Sequence, residues 1–283
     1  MDEPRPLSGR PNLLRRLPRT PGGLVGLALT LVVLFGAVFA GQISPHDPFA
    51  PVGMPLQPPS LTHPMGTDDL GRDLLSGVLH GTRTSLVVVL AAVTLASAIG
   101  ITVGAVSGYR GGLLDDALMR FTEVFQAVPR FFLAIVVIAL FGAGLDRLVL
   151  LLGLTSWTML ARVVRAEVLS MKQREFVEAA RSFGASDTRI LLKELLPNVL
   201  PSAIVVVSLM SASVILLEAA LGFLGLGDPD VISLGYLVNN AQRFIRIAWW
   251  MSVFPGAAIA VAVLGLNLLG DAINDLLNPH DPR

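Results

Sequence analysis

Long apolar runs, broken by short polar segments, recur along almost the whole chain. A helix rises 1.5 Å per residue, so about 20 apolar residues in succession cross the hydrocarbon core of a bilayer. Six runs approach or exceed that length, over residues 23–41, 85–107, 117–142, 148–164, 199–226 and 251–270. The third is entered through a polar turn carrying Arg120 and Glu123 and is interrupted by Pro129, which predicts a kink whose freed carbonyls need a protein neighbour or water. The pattern predicts an all-α integral membrane protein with six transmembrane helices. Residues 1–22 precede the first helix, 42–84 connect it to a five-helix core over 85–270, and 271–283 form a tail.

Three polar segments carry patterns of their own. In 42–84 the first half holds too many prolines for a helix or sheet interior, so it should run extended over the surface. Thr67 or Asp68 then reads as an N-cap, and LGRDLLSGVLH as a short amphipathic helix leading to the second span. In 227–250, SLGYLVNNAQRFI predicts a short interfacial or re-entrant helix, and Trp249 and Trp250 suit the aromatic belt of a membrane surface. The third segment, within 164–198, reads EFVEAARSFGASDTRILLKELLP. Phe176, Ala179, Ala180 and Phe183 recur at helical spacing and make an apolar stripe, while Glu175, Glu178 and Ser182 share another face. Gly184 supplies the left-handed residue that ends this helix; Ser186 or Asp187 caps a second one, TRILLKELL, which Pro197 closes. A polar helical hairpin with a narrow apolar edge fits either a groove in another protein or the lipid surface.

Composition agrees with a membrane protein: 53% of the 283 residues are hydrophobic, 15% are charged, and the mean hydropathy is +0.69. The formal net charge is zero, but its layout is uneven. With the N-terminus inside, Arg5, Arg10, Arg15, Arg16, Arg19, Arg110, Arg120, Arg130, the seven Lys and Arg of 162–193 and Arg283 lie in the cytoplasm. Only Arg72, Arg83, Arg147, Arg243 and Arg246 lie outside, so both termini and the hairpin are expected to be cytoplasmic. The first run also has the makings of a signal peptide ending in V-F-A at Ala40; its length favours an uncleaved anchor. Nucleic acid is not an expected partner.

Candidate chemistry is sparse. There is no Cys, and His46, His63, His80 and His280 form no tight ligand spacing, so a zinc site would have to be assembled across the fold and no metal is expected. Asp68, Asp69 and Asp73 offer either a cation site or, as preferred, helix capping with ion pairing to Arg72. Neither GxxxxGK[ST], GxSxG nor HExxH occurs, so the sequence holds no signature of a nucleotide-binding domain, serine hydrolase or metalloprotease. Within the fifth run, Ser208, Ser211, Glu218, Gly222 and Gly225 fall within an arc of about 100°. That stripe is either a packing seam, the preferred reading, or the wall of a translocation pathway. A secondary transporter would show coupling charges or matching broken helices in two halves, and none are evident.

The run E-A-A-x-x-x-G formed by Glu178, Ala179, Ala180 and Gly184, followed by Leu196 and Pro197, resembles the EAA loop of permease subunits in bacterial ABC importers. The stretches HPMGTDDLGRDLLSGVLHGTRTSL, GAVSGYRGGLLDDALMRF, ALGFLGLGDPDVISLGYLVNNA and FPGAAIAVAVLGLNLLGDAINDLLNP resemble the C-type permeases that import dipeptides, oligopeptides or nickel. The resemblance runs from about residue 20 to 280 and implies the type I ABC importer permease fold in a bacterial plasma membrane. It further implies a related second permease, two cytoplasmic ATPases that bind ATP and Mg, and an external solute-binding protein. This chain would then be non-catalytic and without a cofactor, with Phe176, Glu178, Ala179, Ala180, Phe183, Gly184, Leu196 and Pro197 forming the coupling hairpin. A peptide is the first expectation for the substrate. One departure stands out: the general motif has an apolar residue where Glu194 stands, and here it falls one later, at Leu195.

Overall fold

The computed structural model describes residues 21–277, so most of the expected 1–22 segment and the end of the 271–283 tail lie outside the described residues. Nine main helices organise what is described, besides single turns at Ala40–Ile43 and Gln242–Phe244. They are α1 (Pro21–Val38), α2 (Leu74–Arg110), α3 (Gly112–Ala127), α4 (Arg130–Phe141), α5 (Leu145–Met171), α6 (Glu175–Ser182), α7 (Asp187–Phe223), α8 (Leu234–Ala241) and α9 (Trp250–Leu277). Four of them, α2, α5, α7 and α9, are long and apolar enough to cross a bilayer. Helices α3 and α4 meet that test only as a pair, bent by 76°, and α1 is a shorter apolar helix. Pro129 therefore does more than kink the third run: with Val128 extended before it, the chain breaks into two helices.

Two boundaries depart from the expected ones. The helix expected over LGRDLLSGVLH is not separate but forms the first turns of α2, whose 37 residues span about 55 Å and so project beyond a bilayer core. Its cap is Asp73 and not Thr67 or Asp68: Asp73 Oδ2 accepts from Ser76 N at 2.9 Å and Ser76 Oγ at 2.7 Å. Asp68 is occupied inside the preceding turn, accepting from Leu70 N and Arg72 N. At the other end of the core, Pro197 does not close a helix. It lies near the start of a long continuation, because Ile190–Leu195 widens into a π-helical turn in which Leu196 N reaches Leu191 O. The wide turn changes which carbonyls need a donor, and Asn198 Nδ2 satisfies Glu194 O at 2.6 Å.

The main core lies where α2, α5 and α7 meet, around Val88, Ala92, Leu152, Leu160, Val164, Ile215 and Leu221. Helices α2 and α5 approach closely because Gly100, Gly104 and Gly108 recur every fourth residue on one face of α2. A Cβ on Gly104 would stand 2.4 Å from Ala161 O. On the far side of the assembly α1 packs on α9, where a Cβ on Gly26 would meet Leu269 N at 2.7 Å.

A second cluster joins Leu74, Val78, Leu234, Leu237, Trp250 and Met251. It seats the proline-rich segment, which folds back through single bridges between Pro51 and Arg72 and between Thr67 and Asp73. Trp250 belongs here and not to an aromatic belt: it is 5% exposed and donates from Nε1 to Thr67 O at 3.1 Å. Trp249 beside it is exposed. The expected short helix in 227–250 is α8, capped by Ser233.

Candidate functional site

The hairpin that follows α5 is built from a turn with a defined chemistry. Ala185 N donates to Ala180 O at 3.0 Å and Gly184 N to Arg181 O at 2.9 Å, the paired bonds of a Schellman cap. Gly184 stands at φ +78°, in the left-handed region that the sequence assigns to it. Nothing lies within 4 Å of the place where its Cβ would be. Ser186 then caps the start of α7, accepting from Arg189 N at 3.4 Å.

The apolar edge expected on α6 divides in two. Phe183 is 91% exposed, and Phe176 and Ala179 are also exposed. Ala180 is half-buried and packs against the core, where the fully buried residue of α6 is Val177. Val177, Ile190 and Leu195 are all at 0% exposure and root the hairpin in the main core. Sequence periodicity missed Val177 because it stands between a phenylalanine and a glutamate, off the more conspicuous stripe. Leu195 is buried where Glu194 is not, so the wide π turn absorbs the one-residue offset of the motif. Glu178 is exposed, and Leu196 and Pro197 are half-buried at the hairpin's return to the membrane helices. Besides the rings of Phe176 and Phe183, the hairpin leaves Leu192 exposed, at 55%.

Polar bonds fasten this hairpin to α2 and tie the helices at its base to one another. Tyr109 at the end of α2 donates from its hydroxyl to Asp187 Oδ1 at 2.6 Å. Asp115 of α3 takes a bidentate pair of bonds from Arg165 of α5, each 2.6 Å, and one from Ser107 Oγ. Lys172 Nζ donates to Gly108 O at 2.9 Å. Apart from Ser107 and Asp115, these partners lie far apart in sequence, so no local signal marks them. A groove of about 410 Å³ lined by Val106, Tyr109, Leu114, Asp187 and Leu191 runs beside the hairpin. Another cleft, of about 530 Å³, opens at the α3–α4 break; Gln126, Pro129, Arg130, Thr158 and Arg162 line it.

The residues of the α7 stripe do not share one surface. Ser208 abuts Gly270 of α9, and Ser211 lines an apolar groove with Thr30 and Leu86. Both hydroxyls donate to carbonyls of their own helix, Ser208 to Ile204 O and Ser211 to Val207 O. Glu218 is 1% exposed and accepts from Ser85 Oγ of α2 at 2.9 Å. That same Ser85 oxygen accepts from Leu234 N at 3.3 Å, so one hydroxyl links α2, α7 and the start of α8. Next to it Gly222 meets Gly235, where an added Cβ would be 2.8 Å from the neighbouring Cα.

In the segment between α1 and α2, the acidic run splits. Asp68 serves a turn, where burial raises its carboxyl above the usual range in spite of the two N–H donors it accepts from. Arg72 does not pair with these acids as expected; its guanidinium lies 5.7 Å from the centroid of the Phe49 ring. Asp73 instead meets His63, whose Nδ1 is 3.2 Å from Asp73 Oδ1.

Residues 100–280 match the family of binding-protein-dependent transport system inner membrane components. Among full-length relatives, a Brucella suis chain described as a peptide transport system permease protein is 39% identical, over 94% of this chain and 90% of its own length. The di/tripeptide transport system permease protein DppC of Pseudomonas aeruginosa is 36% identical over 91% of this chain and 88% of that one. The oligopeptide transport system permease protein OppC of Bacillus subtilis is 34% identical over 90% and 85%. In fold, the chain is similar to one from the inward-facing MetNI methionine ABC transporter, with a TM-score of 0.59, 19% identity, and coverage of 73% of this chain and 97% of that one. This chain belongs to the binding-protein-dependent transport system inner membrane components, the non-catalytic permease subunits of ABC transporters.

Proposed function

We propose that this chain is the C-type permease of an ATP-driven peptide importer in a bacterial plasma membrane, with six spans and both termini in the cytoplasm. It forms half of the translocation pathway beside a related second permease. Two cytoplasmic ATPases bind ATP and Mg, and an external solute-binding protein delivers a dipeptide or oligopeptide. Peptide as cargo rests on the names of the relatives at 34–39% identity. The α3–α4 cleft suits it, because Arg130 and Arg162 there can meet a carboxylate.

The observation that carries the coupling role is the hairpin: its root is at 0% exposure while Phe183 at its tip is 91% exposed. A rigid root transmits force, and an exposed aromatic tip gives a partner an anchor. Phe176, Glu178, Ala179, Phe183 and Gly184 form the part that enters an ATPase cleft, and Ala180, Leu196 and Pro197 hold it to the spans. Glu218, Ser208 and Ser211 act as packing groups. Closure of the ATPases pushes the hairpin, and the bonds from Asp187 to Tyr109 and from Arg165 to Asp115 pass that displacement into α2, α3 and α5.

Phe183→Asp tests this without touching the root. A buried aromatic anchor is worth about 2 kcal/mol or more, so the variant should insert normally but retain ATPase subunits more than about tenfold less tightly. Wild-type co-purification and wild-type stimulated hydrolysis would remove the coupling role. In the reconstituted complex, peptides are expected to stimulate hydrolysis; stimulation by nickel and not by peptides would replace the cargo while leaving the coupling role intact.

A further inference from the structure

The segment between α1 and α2 brings together three ligand-type side chains that lie far apart in sequence. His46 follows α1, His63 lies in the proline-rich stretch, and Asp73 caps α2. Each offers one ligand atom, and the three atoms lie within 4.8 Å of one another. The pair His63 Nδ1 and Asp73 Oδ1 is 3.2 Å apart. Two ligands bound about 2.0–2.1 Å from one tetrahedral zinc stand about 3.3 Å apart, so this edge already has the spacing of a shared ion.

The environment is that of an organised site and not of a solvated loop. His63 is 8% exposed and Asp73 1%. Asp73 Oδ2 is held by Ser76 N and Oγ, which leaves Oδ1 directed at His63. Ser76 Oγ also accepts from His46 N at 3.3 Å, so one serine positions two of the three arms. On its other side, His63 Nε2 shares a niche with Gln57 Oε1; each is 3.2 Å from where a Cβ would stand on Gly53. A histidine that binds through one nitrogen commonly has a polar partner for the other. The independent observation is His46: its Nδ1 is buried and has no hydrogen-bond partner. An imidazole nitrogen left so is destabilising unless something occupies it.

We propose that His46, His63 and Asp73 bind one divalent cation of the zinc class, with water completing a four-coordinate site. Two imidazoles and a carboxylate select a first-row transition cation over calcium or magnesium, which require more oxygen ligands. The ion clamps the chain leaving α1 and the proline-rich segment onto the start of α2. Its role is structural, since it ties three separate stretches of the chain together, and it does not depend on what the transporter carries.

The test uses the full chain in detergent, purified through an affinity tag without histidine and stripped with chelator. Cobalt titration should give tetrahedral-type visible bands that saturate at one ion per chain and vanish when zinc is added, and zinc should raise the unfolding temperature. His46→Gln should fold, because the His46 side chain makes no hydrogen bond that glutamine would lose, yet weaken zinc by more than about 100-fold against a competing chelator. Asp73→Asn, which can still cap α2, should also weaken zinc strongly, and His80→Gln should not. The absence of cobalt bands in the wild-type chain, or equal zinc affinity in the wild type, His46→Gln and Asp73→Asn, would reduce the cluster to a hydrogen-bonded cap and overturn the proposal.

Discussion

Gly184 turns the hairpin at φ +78° with open space around it, so a side chain there meets conformational strain and no clash. The left-handed conformation costs an L-residue about 1–2 kcal/mol, more for a β-branched one and less for asparagine. Gly184→Val should therefore misdirect α6 and lower ATPase retention, while Gly184→Asn stays near wild type; co-purification of the ATPases with each variant measures this, and equal retention in both would separate the turn from docking. Glu218 is a different kind of position, buried and hydrogen-bonded to Ser85. Glu218→Gln keeps an acceptor at that place and should preserve both assembly and uptake. Glu218→Ala leaves the Ser85 hydroxyl without this acceptor, a loss of about 1–3 kcal/mol that should appear as less assembled permease with proportionate uptake. Uptake lost at normal assembly and normal ATPase activity would make Glu218 a pathway residue instead.

At the scale of elements, the α2–α5 contact carries the clearest energetic statement. The spacing of Gly100, Gly104 and Gly108 lets the backbones touch, and a Cβ on Gly104 would overlap Ala161 O at 2.4 Å. Gly104→Leu should force the helices apart and destabilise the core by several kcal/mol, more than Gly22→Leu, where nothing lies within 4 Å. Thermal unfolding in detergent, read from the buried Trp157, gives the comparison. The small-residue repeat is readable in the sequence, yet which helix it receives is not, because the repeat specifies closeness and not a partner. The π turn at Ile190–Leu195 was still less legible. Pro197 read as a stop signal because a proline removes a helix hydrogen bond. Here the chain passes through a wide turn before the proline, Asn198 Nδ2 bonds Glu194 O within it, and the helix continues.

For the whole molecule, the placement of Lys and Arg predicts one orientation, with the hairpin in the cytoplasm. The absence of cysteine allows single-cysteine labelling without background. Cysteine at exposed Ser182 should react with a membrane-impermeant reagent only after the cells are opened, and cysteine at exposed Leu61 should react in intact cells. Reaction at position 182 from outside would reverse the topology.

Run lengths and hydropathy by themselves determined that the chain is helical and membrane-embedded, and glycine and cap residues determined that a hairpin turns at Gly184. These are local properties, set by the backbone's need for internal hydrogen bonds in lipid and by the φ that only certain residues adopt. Only the tertiary structure decided that Val177 is the anchor and Phe183 the free tip, that Trp250 closes the proline-rich segment, that Tyr109 fastens the hairpin, and that Arg165 ties α5 to Asp115 of α3. It alone brought His46 and His63 to Asp73. Each of these depends on which distant surfaces share a boundary, and sequence spacing carries no record of that.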